Sequence, residues 1–144
     1  MAVKSHQLIL VNLLDALEVE MHNRLINFPR SERYLLVKEY TDTFYRIRHE
    51  IINALIGSKK RISLNAIDAE VEYLRQLLIK TAKMKLMTVS AASYVTTEFV
   101  NPIGKIVGSW RTKFKSAKNN KIDPNIPNQV SDGDSIYEID SAPF

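Results

Sequence analysis

Between Ser5 and Ala117 the apolar residues recur three and four positions apart, and this period constrains the fold more than any other feature. Leu10, Leu14, Leu17, Met21, Leu25 and Phe28 mark one helical face. Leu36, Tyr40, Phe44, Ile47, Ile51 and Ala54 or Leu55 mark a second, and Leu64, Ile67, Val71, Leu74, Leu78 and Ala82 a third. A fourth runs through Ala92, Val95, Phe99, Ile103, Ile106, Trp110, Phe114 and Ala117. Strand-like alternation is confined to Met87-Thr88-Val89 and Ser135-Ile136-Tyr137-Glu138-Ile139. The pattern predicts helices over about 5–27, 31–56, 63–85 and 90–116. Three short connections between four such helices give an all-α, up-down-up-down four-helix bundle.

The punctuation agrees. Pro29 suits a helix start, where its missing N–H would go unpaired anyway. Gly57 is placed to stop the second helix in a left-handed conformation. Ser58-Lys59-Lys60-Arg61-Ile62 reads as a basic loop with Ser63 as the next cap, and Ser90 as the cap of the fourth helix. Pro102 falls inside that last helix, so a kink is expected near Asn101. The first helix has a second apolar stripe, Ile9, Leu13, Ala16 and Val19, more than a lone bundle needs. This points to a subunit interface. Gly104 and Gly108, four apart and followed by Trp110, predict a smooth strip for close packing within the chain or between subunits.

Charge divides the chain into a bundle, residues 1–118, and an acidic irregular tail, residues 119–144. The bundle holds 19 Lys and Arg against 11 Asp and Glu, a net +8, whereas the tail carries −4. A basic body suggests a polyanionic partner, although a solvated charged surface gives the same count. Two clusters are placed to meet phosphates: Lys59, Lys60 and Arg61, and Arg111, Lys113 and Lys115. They should share one end of the bundle, because helices two and four run parallel. Lys80, Lys83 and Lys85 belong at the other end, where cations also complement a helix dipole. The tail is expected to fold over the basic face, or to seat Ile136, Tyr137, Ile139 and Phe144 in a groove. An untethered terminus is the alternative.

Catalytic chemistry finds little purchase. There is no cysteine, which excludes disulfides and thiolate metal sites. No glutamate is followed three residues later by histidine, as a bundle di-iron site requires. His6, His22 and His49 are scattered, and no glycine loop or nucleophile elbow occurs. The expectation is a non-enzyme with no metal or cofactor. No apolar run approaches the ~18 residues of a membrane span, so a cytoplasmic protein is expected.

Phe28-Pro29-Arg30-Ser31-Glu32-Arg33-Tyr34, Asp68-Ala69-Glu70-Val71-Glu72-Tyr73-Leu74-Arg75 and Ile103-Gly104-Lys105-Ile106-Val107-Gly108-Ser109-Trp110 together resemble Avd, the accessory variability determinant of diversity-generating retroelements. The likeness runs from about Leu8 to Lys115. It implies a bundle assembled into a basic, barrel-like homopentamer that binds the retroelement reverse transcriptase and its template RNA or cDNA. Bundle proteins encoded in intervening sequences of 23S ribosomal RNA genes carry a similar Phe-Pro-basic segment. Their second helix ends differently from Glu50-Ile51-Ile52-Asn53-Ala54-Leu55-Ile56-Gly57, which ranks that reading second. A protein–protein scaffold without nucleic-acid binding is the remaining alternative. Pro102 and the acidic tail depart from the Avd pattern.

Overall fold

The structure, a computed structural model, describes residues 2–120, with side chains from residue 7 to 113. The predicted tail lies outside the described residues from 121 onward. Four helices form, and no strand is present among the described residues. Helix α1 is Ala2–Leu25. Helix α2 (30–56) joins Arg30–Glu32, a π-helical turn Arg33–Val37 and Lys38–Ile56. Helix α3 is Lys60–Lys83. Helix α4 (89–120) joins Val89–Val95, a second π-helical turn Thr96–Val100 and Asn101–Asn120.

Each helix packs on two neighbours: α1 on α2 and α4, and α3 on α2 and α4. Cross-links between helices fix the antiparallel sense. Arg48 of α2 reaches back to Asp15 and Glu18 of α1, and Arg46 meets Glu70 of α3. The core is the predicted one for the first three helices, from Leu10 to Leu78, closed by Met87 and the α4 residues. Trp110 and Tyr40 are its largest fully buried side chains.

In α4 the buried face differs from the predicted stripe. Val100 and Val107 are fully buried, while Phe99 and Ile106 are only partly so. The π-helical turn at Thr96–Val100 adds a residue to one turn and advances the register by one. It directly precedes Pro102, whose ring would otherwise press on the carbonyl four residues back. The expected break at Asn101 is thus a widened turn one step earlier, and the helix continues.

The helix ends correct four expectations. Helix α3 begins at Lys60, so Lys60, Arg61 and Ile62 form its first turn rather than a loop, and Ser63 is a buried helical residue rather than a cap. Thr88, not Ser90, caps α4: its Oγ1 accepts the Ala91 N–H at 3.0 Å. Gly57 is extended (φ −84°, ψ 165°), not left-handed. Its glycine is explained by crowding, since a Cβ there would lie 2.6 Å from the Asn53 carbonyl oxygen. The left-handed residue is Lys85 (φ 61°), which ends α3 with Lys85 N–H bonded to Ala82 and Leu86 N–H to Thr81. That pair of bonds is a Schellman motif, and the half-buried Leu86 packs on the core beside it.

Candidate nucleic-acid interface

The bundle topology gathers the α2–α3 connection and the C-terminal part of α4 at one end. Lys59 is exposed there and Arg61 is half-buried in the first turn of α3. Lys60 turns inward, with Nζ 3.5 Å from the Leu55 carbonyl and 3.4 Å from that of Gly57. It caps the end of α2, where the last carbonyls lack helical partners and a cation is favoured. Arg111 forms an ion pair and hydrogen bond with Asp68 of α3. Lys113 is exposed, and the side chain of Lys115 lies outside the described residues. The two predicted clusters thus occupy one end, but Lys60 and Arg111 are engaged within the bundle.

This engagement follows residue type. Asp15 and Glu18 pair with Arg48, Glu20 with Arg24, Glu70 with Arg46, Glu72 with Arg75 and Asp68 with Arg111. Asp42 pairs with a lysine, Lys38 one turn away. The planar guanidinium suits fixed carboxylate geometry, whereas the hydrated ammonium favours solvent. The Asp42 carboxylate holds the Lys38 ammonium in its charged form, above the usual lysine range. Lys80, Lys83, Lys85, Lys105 and Lys113 are exposed and make no ion pair among the described residues. Three of these sit at the end of α3, opposite the predicted clusters. Their sequence position was visible, but a helix-dipole role accounted for them equally well.

The packing residues separate in a similar way. Trp110 is buried in the core. Leu13 packs on the core as a half-buried residue, while Ile9 is 42% exposed and Val19 64%. Gly104 lies against α3: a Cβ there would meet Arg75 Nη2 at 2.9 Å and Val71 Cγ1 at 3.7 Å. Arg75 crosses at this point to donate from Nε to Asn101 Oδ1 at 3.0 Å. Gly108 has nothing within 4 Å of where its Cβ would stand. Only one of the two glycines therefore serves close packing between helices of this chain.

Two surface hollows accompany these charges. A cleft of about 480 Å³ between α1 and α2 is lined by Glu18, His22, Arg33, Thr41, Phe44 and Tyr45. Arg33 is committed there to the backbone, donating to the Phe28 and Ile26 carbonyls at 3.1 and 2.8 Å. That contact gives the Phe28–Tyr34 segment a structural task, tying the α1–α2 turn shut. A groove of about 460 Å³ lies between α3 and α4 beside the second π-helical turn. Among the described residues no three His, Asp or Glu side chains gather as a metal site, and no helix is long and apolar enough to cross a membrane.

Four antiparallel helices, joined at their surfaces by arginine ion pairs and carrying exposed lysines, define an α-helical bundle protein with a basic surface. The sequence matches the bAvd-like family over residues 8–114, and the chain belongs to that family. No curated protein and no solved structure gives a significant match.

Proposed function

We propose that this chain is a non-enzymatic accessory protein that holds a nucleic acid by phosphate contacts while associated with a reverse transcriptase. Membership of the bAvd-like family supports this reading. The observation that carries it is the division of labour between the cations. Arginines pair with six of the eleven carboxylates in residues 1–118, while Lys80, Lys83, Lys85, Lys105 and Lys113 stand exposed without an ion pair among the described residues. Lysines scattered over a surface suit sequence-independent contact with a polyanion rather than base reading. Weak contacts at several lysines add up when the protein is multivalent, as in a homopentamer. The RNA or cDNA would then be held near the polymerase in the cytoplasm.

Binding of the full chain to a labelled RNA and an RNA–DNA hybrid across a salt series tests this. A loss of affinity on the order of 10³-fold between about 50 and 200 mM salt is expected if several phosphates are engaged. The triple variant Lys80→Glu, Lys83→Glu, Lys85→Glu should weaken binding and flatten the salt slope. The predicted end is tested in parallel by Lys59→Glu with Lys113→Glu. Absence of binding at low salt, with the fold intact, would overturn the nucleic-acid role.

A scaffold reading is favoured by a different observation. Leu8 and Val19 of α1, and Tyr45, Ile52 and Ile56 of α2, are large apolar side chains left exposed. Such residues on two adjacent helices suit a protein contact, including one between copies. Sedimentation of the full chain reports the oligomer.

A further inference from the structure

The groove between α3 and α4 is apolar and open. Ile79, Ala82, Val89 and Ala92 line it with Ser93, Thr96 and Thr97, and a cation stands at each end: Lys83 at one and Arg75 at the other. Ile79 is 55% exposed and Val89 75%, a large apolar exposure for this end of the bundle. Thr96 and Thr97 of its lining belong to the π-helical turn. The widened turn at Thr96–Val100 adds a residue to α4 beside α3.

We propose that this groove is the docking site of the chain's own C-terminal segment, with Ile136, Tyr137 and Ile139 in the apolar trough and Glu138 and Asp140 against Lys83 and Arg75. Three independent features select this occupant. First, the segment Ile136-Tyr137-Glu138-Ile139-Asp140 combines apolar and acidic residues, as the groove combines an apolar lining with basic side chains at its ends. Second, the reach is sufficient. From Thr97 to Asn120, α4 is about 35 Å long. The fifteen residues 121–135 span up to about 50 Å when extended, enough to return from the end of α4 to the groove.

Third, the α3–α4 helix pair leaves room on the way back: Gly108 has open space where a Cβ would be, while Gly104 is closed off by Arg75. Arg111 lies along the same α3–α4 seam, before the groove is reached. On that seam Arg111 is paired with Asp68 and Arg75 with Glu72, and Lys83 is the exposed groove cation with no ion pair among the described residues. Docked there, the segment removes Lys83 from the exposed basic surface. The docking itself does not depend on nucleic-acid binding.

The absence of cysteine makes disulfide trapping clean. In the full chain, Ser93→Cys places a thiol on the exposed rim of the groove, and Ser141→Cys places one just past Asp140. Under mild oxidation this pair should form an intrachain disulfide at least about tenfold faster than Asn12→Cys with Ser141→Cys, whose first member is exposed on α1. Adding Ile136→Asp and Ile139→Asp to the Ser93/Ser141 pair should bring its rate down to that of the control; neither residue belongs to the bundle. Equal rates for the two pairs would overturn the proposal. So would a product consisting of covalent dimers, which would assign the groove to the tail of another copy.

Discussion

The Tyr40 hydroxyl and Thr81 Oγ1 lie 2.7 Å apart in the core, joining α2 to α3 across 41 residues of sequence. Thr81 spends its own proton on the Leu77 carbonyl, also at 2.7 Å, so Tyr40 is the donor. Both side chains are fully buried. The link is therefore asymmetric, and the two partners should respond differently to removal.

Thr81→Val leaves the Tyr40 O–H buried without an acceptor, and should cost about 1–3 kcal/mol. Tyr40→Phe removes the donor but leaves Thr81 bonded to Leu77, and should cost about 0.5–1.5 kcal/mol. The double variant should be more stable than the sum of the two losses implies. Urea unfolding of the three variants measures the cycle. Equal costs for the two single variants would contradict the assigned donor.

Burial pushes the Tyr40 hydroxyl up to about 12. In the unfolded chain the same group ionises near 10. The folded state therefore holds its proton through a window in which the unfolded state has lost it. Stability from this group is complete below about pH 10 and declines as pH rises toward about 12, by up to about 3 kcal/mol. Tyr40→Phe should lack this increment, so the stability difference between wild type and variant should shift in the variant's favour across that window.

Lys85 holds a left-handed backbone that glycine adopts without penalty. Lys85→Gly should stabilise the bundle by about 1 kcal/mol, since its Schellman bonds involve backbone only. A higher midpoint in thermal unfolding would show it. A lower one would mean that the Lys85 side chain contributes more than its backbone costs.

Gly57 and Gly108 should give opposite results with alanine. At Gly57 the new Cβ meets a backbone oxygen at 2.6 Å, which cannot swing away, so Gly57→Ala should cost about 1–3 kcal/mol. At Gly108 nothing stands within 4 Å, so Gly108→Ala should stabilise the isolated bundle by about 1 kcal/mol through helix propensity. Denaturant midpoints at low protein concentration compare them. If Gly108→Ala destabilises instead, the open space above it is occupied in solution.

Much of the fold was legible because the signals are local. Leu10, Leu14, Leu17 and Met21 announce a buried face by spacing alone, and Gly57 and Pro29 mark ends where they fall. Misreadings arose where a local signal had two solutions. Ser63 is a good cap by composition. Yet starting α3 at Lys60 lets that lysine close the end of α2, while Ser63 turns inward at 6% exposure. Phe99 fits a regular helical stripe, but the widened turn before Pro102 hands its place to Val100. The hydroxyl of Thr88, which accepts the Ala91 N–H, caps α4 two residues ahead of Ser90, so the helix begins at Val89.

By itself the sequence determined four amphipathic helices, their antiparallel order, a basic body and the residues that carry its charge. The apolar period and the short connections decide these within a few turns of chain. Only the tertiary structure decided which cations are free. Arg46 with Glu70, Arg48 with Asp15 and Arg111 with Asp68 meet across 24 to 43 residues. Such pairs depend on the rotation of each helix about its own axis, which core packing sets and which no local pattern records. The same packing drew Lys60 and Arg111 inward and left the lysines at the end of α3 facing solvent.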